Sequence, residues 1–262
     1  MDQRIAAIEA LLRPIAKYKL RSHETSQLSH IPLLTQSSHS DNSQQTQRGP
    51  SVILFGDSMI ERMTTTGVET PTSLVGPWPP EAMVDDETTW RQEGVLNAGV
   101  GGDRIQNMAY RLVGDPATSL PGLAATLLAT AQTDIKLWVV QAGTNNLTPK
   151  KGLTEKDRDA LELLLQSLLI ISGPESKILL TGLFPRKDIP VELIGQANDK
   201  LVGITREMND GLGKEGVVFL PATGAVKTED HLVDHVHLNL EGYRLWMREL
   251  LPAVSRVLRS ST

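Results

Sequence analysis

The chain has 262 residues, 40% of them apolar and 22% charged, with a formal net charge of −5. Such a composition supports a buried core and excludes wholesale disorder and collagen-like repeats; with no basic stripe interleaved with aromatics, no nucleic-acid partner is expected. The absence of cysteine excludes thiol nucleophiles, cysteine-ligated zinc and disulfide scaffolds, so any nucleophile is an oxygen or a nitrogen.

Ile5, Ile8, Leu12 and Ile15 recur at helical spacing, which predicts an amphipathic helix within residues 1–21 that Pro14 kinks or divides. Asp2, Arg4 and Glu9 break the stretch where an export signal needs an unbroken apolar run. The apolar runs at residues 122–131 and 161–171 are interrupted by polar side chains and fall short of the ~18 residues a membrane span needs. A soluble, cytoplasmic protein without a membrane span is expected. Residues 22–50 turn to Ser, Gln, His, Thr and Asn and are predicted to be a flexible linker, leaving residues 51–262 as the compact domain. A docked N-terminal helix, on that domain or on a second copy of the chain as in a homodimer, is expected to contribute stability or dimerisation and not the chemistry.

Short β-branched apolar runs at residues 51–55, 95–97, 135–141, 177–183 and 217–220 read as buried parallel strands. Helical stretches at 104–113, 120–131, 155–172, 191–212 and 240–258 alternate with them. This βαβ rhythm predicts a three-layer α/β/α sandwich around a mainly five-stranded parallel sheet, whose strand carboxyl ends form a crevice. The segment 67–94, with Trp78, Trp90 and an acidic run at 85–87, is too long for an ordinary connection.

Four small polar clusters fall after strands or before the last helix. Gly56-Asp57-Ser58 follows the first strand: it is a turn with a helix cap, or it sets the Ser58 hydroxyl at a helix N-terminus where an oxyanion is favoured. Asn97 to Asp103 is glycine-rich, yet lacks the third glycine of a dinucleotide fingerprint; an exposed Gly102 N–H facing a substrate uses the glycines equally well. Gly143-Thr144-Asn145-Asn146 is a turn, or places an Asn amide where a carbonyl oxygen becomes negative. In Asp234-His235-Val236-His237 a carboxylate three residues before an imidazole can turn back to its Nδ1–H and leave Nε2 to accept a proton from serine. His237 fits best, with His235 and His231 as rival bases, and no further ligands make His-x-His a metal site. The order Ser, Asp, His is that of α/β-hydrolases, but no serine here is flanked as Gly-x-Ser-x-Gly.

Taken together, in this order and spacing, the clusters resemble the four motif blocks of the SGNH hydrolases, the GDSL esterase and lipase superfamily, over residues 52–258. The blocks GDSM, NAGVGGDRI, GTNN and Phe184-Pro185-Arg186 look most like the intracellular platelet-activating factor acetylhydrolase catalytic subunits. The resemblance implies a flavodoxin-like fold and a serine esterase acting on a small-molecule ester, with short acyl groups, acetyl above all, and with no metal or organic cofactor. It also implies Ser58 as nucleophile, His237 with Asp234 as the base pair, and the Ser58 N–H, Gly102 and Asn145 as oxyanion donors. A carbohydrate acetylesterase, a lysophospholipase, a thioesterase or a catalytically silent binding module on the same fold are the alternatives.

Overall fold

The computed structural model describes residues 2–36, 49–84, 91–115, 117–130 and 134–260. Its centre is a six-stranded sheet of β1 (Val52–Gly56), β2 (Val75–Trp78), β3 (Gln92–Gly99), β4 (Leu137–Gln141), β5 (Lys177–Thr181) and β6 (Val217–Leu220), in the order β2-β3-β1-β4-β5-β6. All neighbours are parallel except β2, which pairs antiparallel with β3 at the sheet edge. With β2 set aside, the five parallel strands follow the flavodoxin-like order 2-1-3-4-5. Their topology therefore reverses at β1, and the crevice opens beyond the ends of β1, β3 and β4.

Because successive strand side chains point to opposite faces, the strands build two cores at once. On β1, Ile53 and Phe55 join Leu96, Trp138, Val140 and Leu180 under α5 (Ile105–Val113), α6 (Leu123–Ala129), α7 (Glu155–Ser172) and α8 (Val191–Leu212). Val52 and Leu54 join Val95, Leu137, Val139 and Leu179 under α10 (Leu240–Arg259) and the short α4 (Ser58–Glu61). The three-layer expectation is thus met, with a sixth strand added. β2 escapes the sequence pattern because Val75-Gly76-Pro77-Trp78 carries a strand-weakening glycine and a proline that only an edge tolerates. Trp90 and the acidic run 85–87 lie outside the described residues.

The N-terminal half of the expected linker, residues 22–36, differs from expectation. After α1 (Asp2–Leu12) the chain forms α2 (Leu20–Thr25), a π-helical turn at Ser26–His30 and α3 (Ile31–Gln36), all packed on the body of the molecule. α1 places Ile8 and Leu12, 1% and 0% exposed, in the same core as Leu161 and Leu164 of α7. Ile31 and Leu34 enter that core too. Between them the polar residues find partners: Ser22 Oγ donates to Asp103 Oδ1, and His23 Nδ1 lies 2.9 Å from the Tyr110 hydroxyl. Polar composition alone suggested a solvated segment; these pairings are what bury it. Residues 37–48 of the expected linker lie outside the described residues. No described helix is long and apolar enough to cross a membrane.

Candidate active site

Ser58 begins α4 directly after β1, held there by its predecessor: the Asp57 carboxylate caps the helix, Oδ1 accepting from Met59 N at 2.9 Å. His237, 179 residues beyond Ser58, lies with Asp234 on the loop between α9 (Thr228–His231) and α10. Asn239 caps α10 and accepts from Gly242 N at 2.9 Å, which fixes where that loop ends. The loop brings His237 Nε2 to 2.9 Å from Ser58 Oγ and His237 Nδ1 to 2.7 Å from Asp234 Oδ2.

The other carboxylate oxygen of Asp234 accepts from the backbone N–H groups of Val236 and His237, each at 2.8 Å. Burial would raise the Asp234 carboxyl, but the His237 ring and these two N–H groups outweigh it and hold the carboxyl well below the usual range. It therefore faces Nδ1 as a carboxylate, which accepts the Nδ1–H and leaves Nε2 turned to Ser58. The rival histidines are placed elsewhere. His235 is exposed, its carbonyl accepting from Lys187 N, and His231 Nδ1 accepts from Lys227 N at 2.8 Å.

Gly102 lies in the loop between β3 and α5 with φ +73°, a left-handed conformation that favours glycine. Asn145 lies in the loop after β4, where its Nδ2 donates to Asp103 O at 2.9 Å. An amide nitrogen carries two hydrogens, so this bond orients the group and leaves a second donor. Asn146 stitches the same loop to its neighbours: Oδ1 accepts from Ile105 N, and Nδ2 donates to Gln106 Oε1 at 3.0 Å and Asp157 Oδ1 at 2.6 Å. Ser58, Gly102, Asn145, Asp234 and His237 are thus all carried by loops and helix starts at the carboxyl edge of the sheet.

Of the residues that hold these loops, Asp57, Asn97, Asn146 and Arg186 fall within the motif blocks, whereas Arg111 and Gln141 do not. Arg111 is fully buried; it pairs with Asp103 (Nε to Oδ2, 2.8 Å) and donates to Ala98 O and Gly56 O, tying the ends of β3 and β1 to the Gly102 loop. Its guanidinium also sits 4.6 Å from the centre of the Phe55 ring. Asn97 donates to Ile60 O and accepts from Gly99 N. Arg186 donates to Thr144 O at 2.6 Å while forking onto Asp188. Behind Ser58, the Gln141 side chain lies between the Asp57 carboxyl and the Thr144 hydroxyl; with its amide nitrogen turned to Asp57 it donates to both carboxyl oxygens, at 3.0 and 3.2 Å, and accepts from Thr144. Burial pushes the Asp57 carboxyl up to about 7, against the Met59 N–H bond, with the nearby Asp103 charge adding to the rise. Every residue of α5 is buried, but the polar Gln106 and Asn107 on the same helix left nothing in the sequence to mark Arg111. Among the described residues no group of three or more His, Asp or Glu converges as a metal site would.

The GDSL-like lipase/acylhydrolase family model matches residues 54–245, and the chain belongs to that family of carboxylic ester hydrolases. A search of curated proteins finds no match. Among solved structures, a Streptococcus pneumonia protein named for platelet activating factor aligns over 97% of this chain and 99% of its own, at 17% identity and a TM-score of 0.52. A variant acetyl esterase with acetate aligns over 81% of this chain and 100% of its own, at 14% identity and a TM-score of 0.53. A carbohydrate esterase family 3 structure from Talaromyces cellulolyticus aligns over 80% and 99%, at 16% identity and a TM-score of 0.52. At these identities the likeness is one of fold. Coverage of 97% in the first case extends it into the N-terminal helices, which precede the family match.

Proposed function

We propose that the chain hydrolyses short-acyl esters, acetyl esters above all, through an acyl-enzyme formed on Ser58. The observation that carries this reading is the continuous chain from Ser58 Oγ to His237 Nε2 at 2.9 Å and from His237 Nδ1 to Asp234 Oδ2 at 2.7 Å. Ser58 Oγ attacks the ester carbonyl as His237 Nε2 takes its proton, and the Asp234 carboxylate stabilises the imidazolium. The carbonyl oxygen, now negative, is received by the Ser58 and Gly102 backbone N–H groups and the free Asn145 amide hydrogen. His237 then protonates the departing alkoxide, water attacks the acyl-serine with His237 again as base, and the acyl–Oγ bond breaks as His237 returns that proton to Ser58 and the carboxylic acid leaves. Every proton in this cycle is handled by the triad, so no metal or organic cofactor enters it.

Support for the acetyl preference comes from the wording of the motif blocks, which resembles the platelet-activating factor acetylhydrolase catalytic subunits, and from the acetyl esterase among the structural neighbours. A carbohydrate acetylesterase is the second reading, favoured by the Talaromyces cellulolyticus structure. A panel of p-nitrophenyl esters of rising chain length, then acetylated sugars and lysophospholipids, separates them. Turnover that peaks at acetate and is abolished by Ser58→Ala supports the proposal. A peak at long acyl chains, or hydrolysis surviving Ser58→Ala, overturns it.

A further inference from the structure

The chain between α1 and α2 runs across the loop that carries Gly102. It is pinned there on both sides: Lys17 N donates to Gln106 O and Asn107 Nδ2 donates to Lys17 O, each at 2.9 Å, while Arg21 forks onto Glu61 at 2.8 and 3.0 Å. Between these ties, Lys19 Nζ donates to Gly101 O at 2.9 Å and lies 3.8 Å from Asp103 Oδ1. A Cβ built on Gly102 would stand 2.8 Å from Lys19 Nζ, so the ammonium packs against Gly102 itself.

The Gly101 carbonyl and the Gly102 N–H are the two ends of one planar, trans peptide unit. Whatever holds the carbonyl toward Lys19 therefore turns the N–H the opposite way. Glycine on both sides removes the Cβ clashes that would otherwise restrict rotation of this unit, so the sequence alone leaves its orientation loosely set. A charge-assisted bond is roughly twice as strong as a neutral one and polarises the peptide it touches, which makes the N–H a better donor to a developing negative charge.

We propose that Lys19 is a positioning residue for the oxyanion hole, fixing and polarising the Gly101–Gly102 peptide from a segment that precedes the family match. The inference rests on the reading of Gly102 as an oxyanion donor. It gives the N-terminal segment a part in the chemistry without contact between Lys19 and substrate. Because the oxyanion bond matters once charge has developed, losing Lys19 should lower kcat and leave KM nearly unchanged.

The test compares wild type, Lys19→Met and Lys19→Arg on p-nitrophenyl acetate, with Asn107→Ala as a control that loosens the segment by removing its tie to Lys17 O. Lys19→Met should lower kcat by about 10- to 100-fold, part of the ~10²–10³ lost when a whole oxyanion donor is removed. Lys19→Arg, which keeps a cationic donor to the carbonyl, should recover most of it. The Kd of an aryl trifluoromethyl ketone, which adds to serine as a tetrahedral oxyanion, should weaken by the same factor as kcat/KM. Wild-type kcat and unchanged ketone binding in Lys19→Met would overturn the inference. An equal loss in Asn107→Ala, tracking a fall in Tm, would do the same by making the role merely structural. Turnover surviving Ser58→Ala would instead overturn the reading of the site on which this inference stands.

Discussion

His235 and His237 stand two residues apart on one loop, yet only the second faces Ser58. His237→Ala removes the group 2.9 Å from Ser58 Oγ and should lower turnover by several orders of magnitude, whereas His235→Ala should cost little. Comparable losses in the two variants would leave the base unassigned. Asn145→Ala should reduce kcat by roughly 10²–10³ with KM little changed, because its amide is asked to act on the charged intermediate. Full kcat in that variant would make the cluster after β4 a turn and nothing more. Asp57 yields a prediction about stability. Its folded pKa of about 7 exceeds the ordinary carboxyl value of about 4, so between these pH values the native state keeps a proton that the unfolded chain has lost. The stability it contributes is therefore fully present below pH ~4 and is lost as pH rises through about 7. Asn has the same shape, keeps an acceptor for Met59 N and does not titrate. The stability difference should accordingly shift toward Asp57→Asn between pH 4 and 7 and then level off, read as Tm or urea midpoint at several pH values. A difference independent of pH would mean that Asp57 titrates normally.

At the scale of elements, what hydropathy could show depended on how regular the burial was. α7, α8 and β6 were legible to the residue, and β1, β4 and β5 to within two residues at either end, because the helices carry long periodic apolar faces and β1, β4 and β5 are almost wholly buried. β2 and the stretch from Leu20 to Gln36 were not. In both, stability comes from pairings distant in sequence, such as Ser22 with Asp103 and His23 with Tyr110. The same holds for the site: Ser58, Gly102, Asn145, Asp234, His237 and Arg186 sit in local motifs, whereas Arg111, in none, ties Asp103 and Ala98 to Gly56, 55 residues away. His30, in the π-helical turn, exposes the cost of this arrangement. It is buried, neither ring nitrogen has a partner among the described residues, and burial, with Arg111 nearby, pushes its pKa down to about 3. Below the ordinary value of about 6.5 the unfolded segment takes up a proton that the docked one refuses, so docking weakens as pH falls from 6.5 toward 3. Limited proteolysis of residues 20–36 should accordingly be faster at pH 5 than at pH 7.5. His30→Leu should remove most of that dependence, and an identical response in variant and wild type would refute it.

For the whole molecule, the question is whether the N-terminal helices belong to the cooperative unit or ride on a domain that is complete from residue 51. The core answers in one direction: Ile8, Leu12, Ile31 and Leu34 are continuous with the side chains of α5, α6 and α7, without a solvated seam between them. If that core forms and melts as one body, a defect in α1 destabilises everything. Leu12 is the sharpest probe because it is fully buried and lies on α1, a helix that carries none of the candidate site residues. Leu12→Ala leaves a cavity and should cost about 2–5 kcal/mol, the usual range for a large aliphatic side chain cut back in a packed core. For a chain of this size that corresponds to a fall in Tm of about 5–15 °C, in a transition that stays single and is seen alike by far-UV and near-UV circular dichroism. Were α1 a loosely attached appendage, the same substitution would leave the main transition where it was and at most add a small, earlier step. A Tm within a degree or two of wild type would therefore separate the N-terminal helices from the folded unit, and would also remove the rigid support on which Lys19 depends.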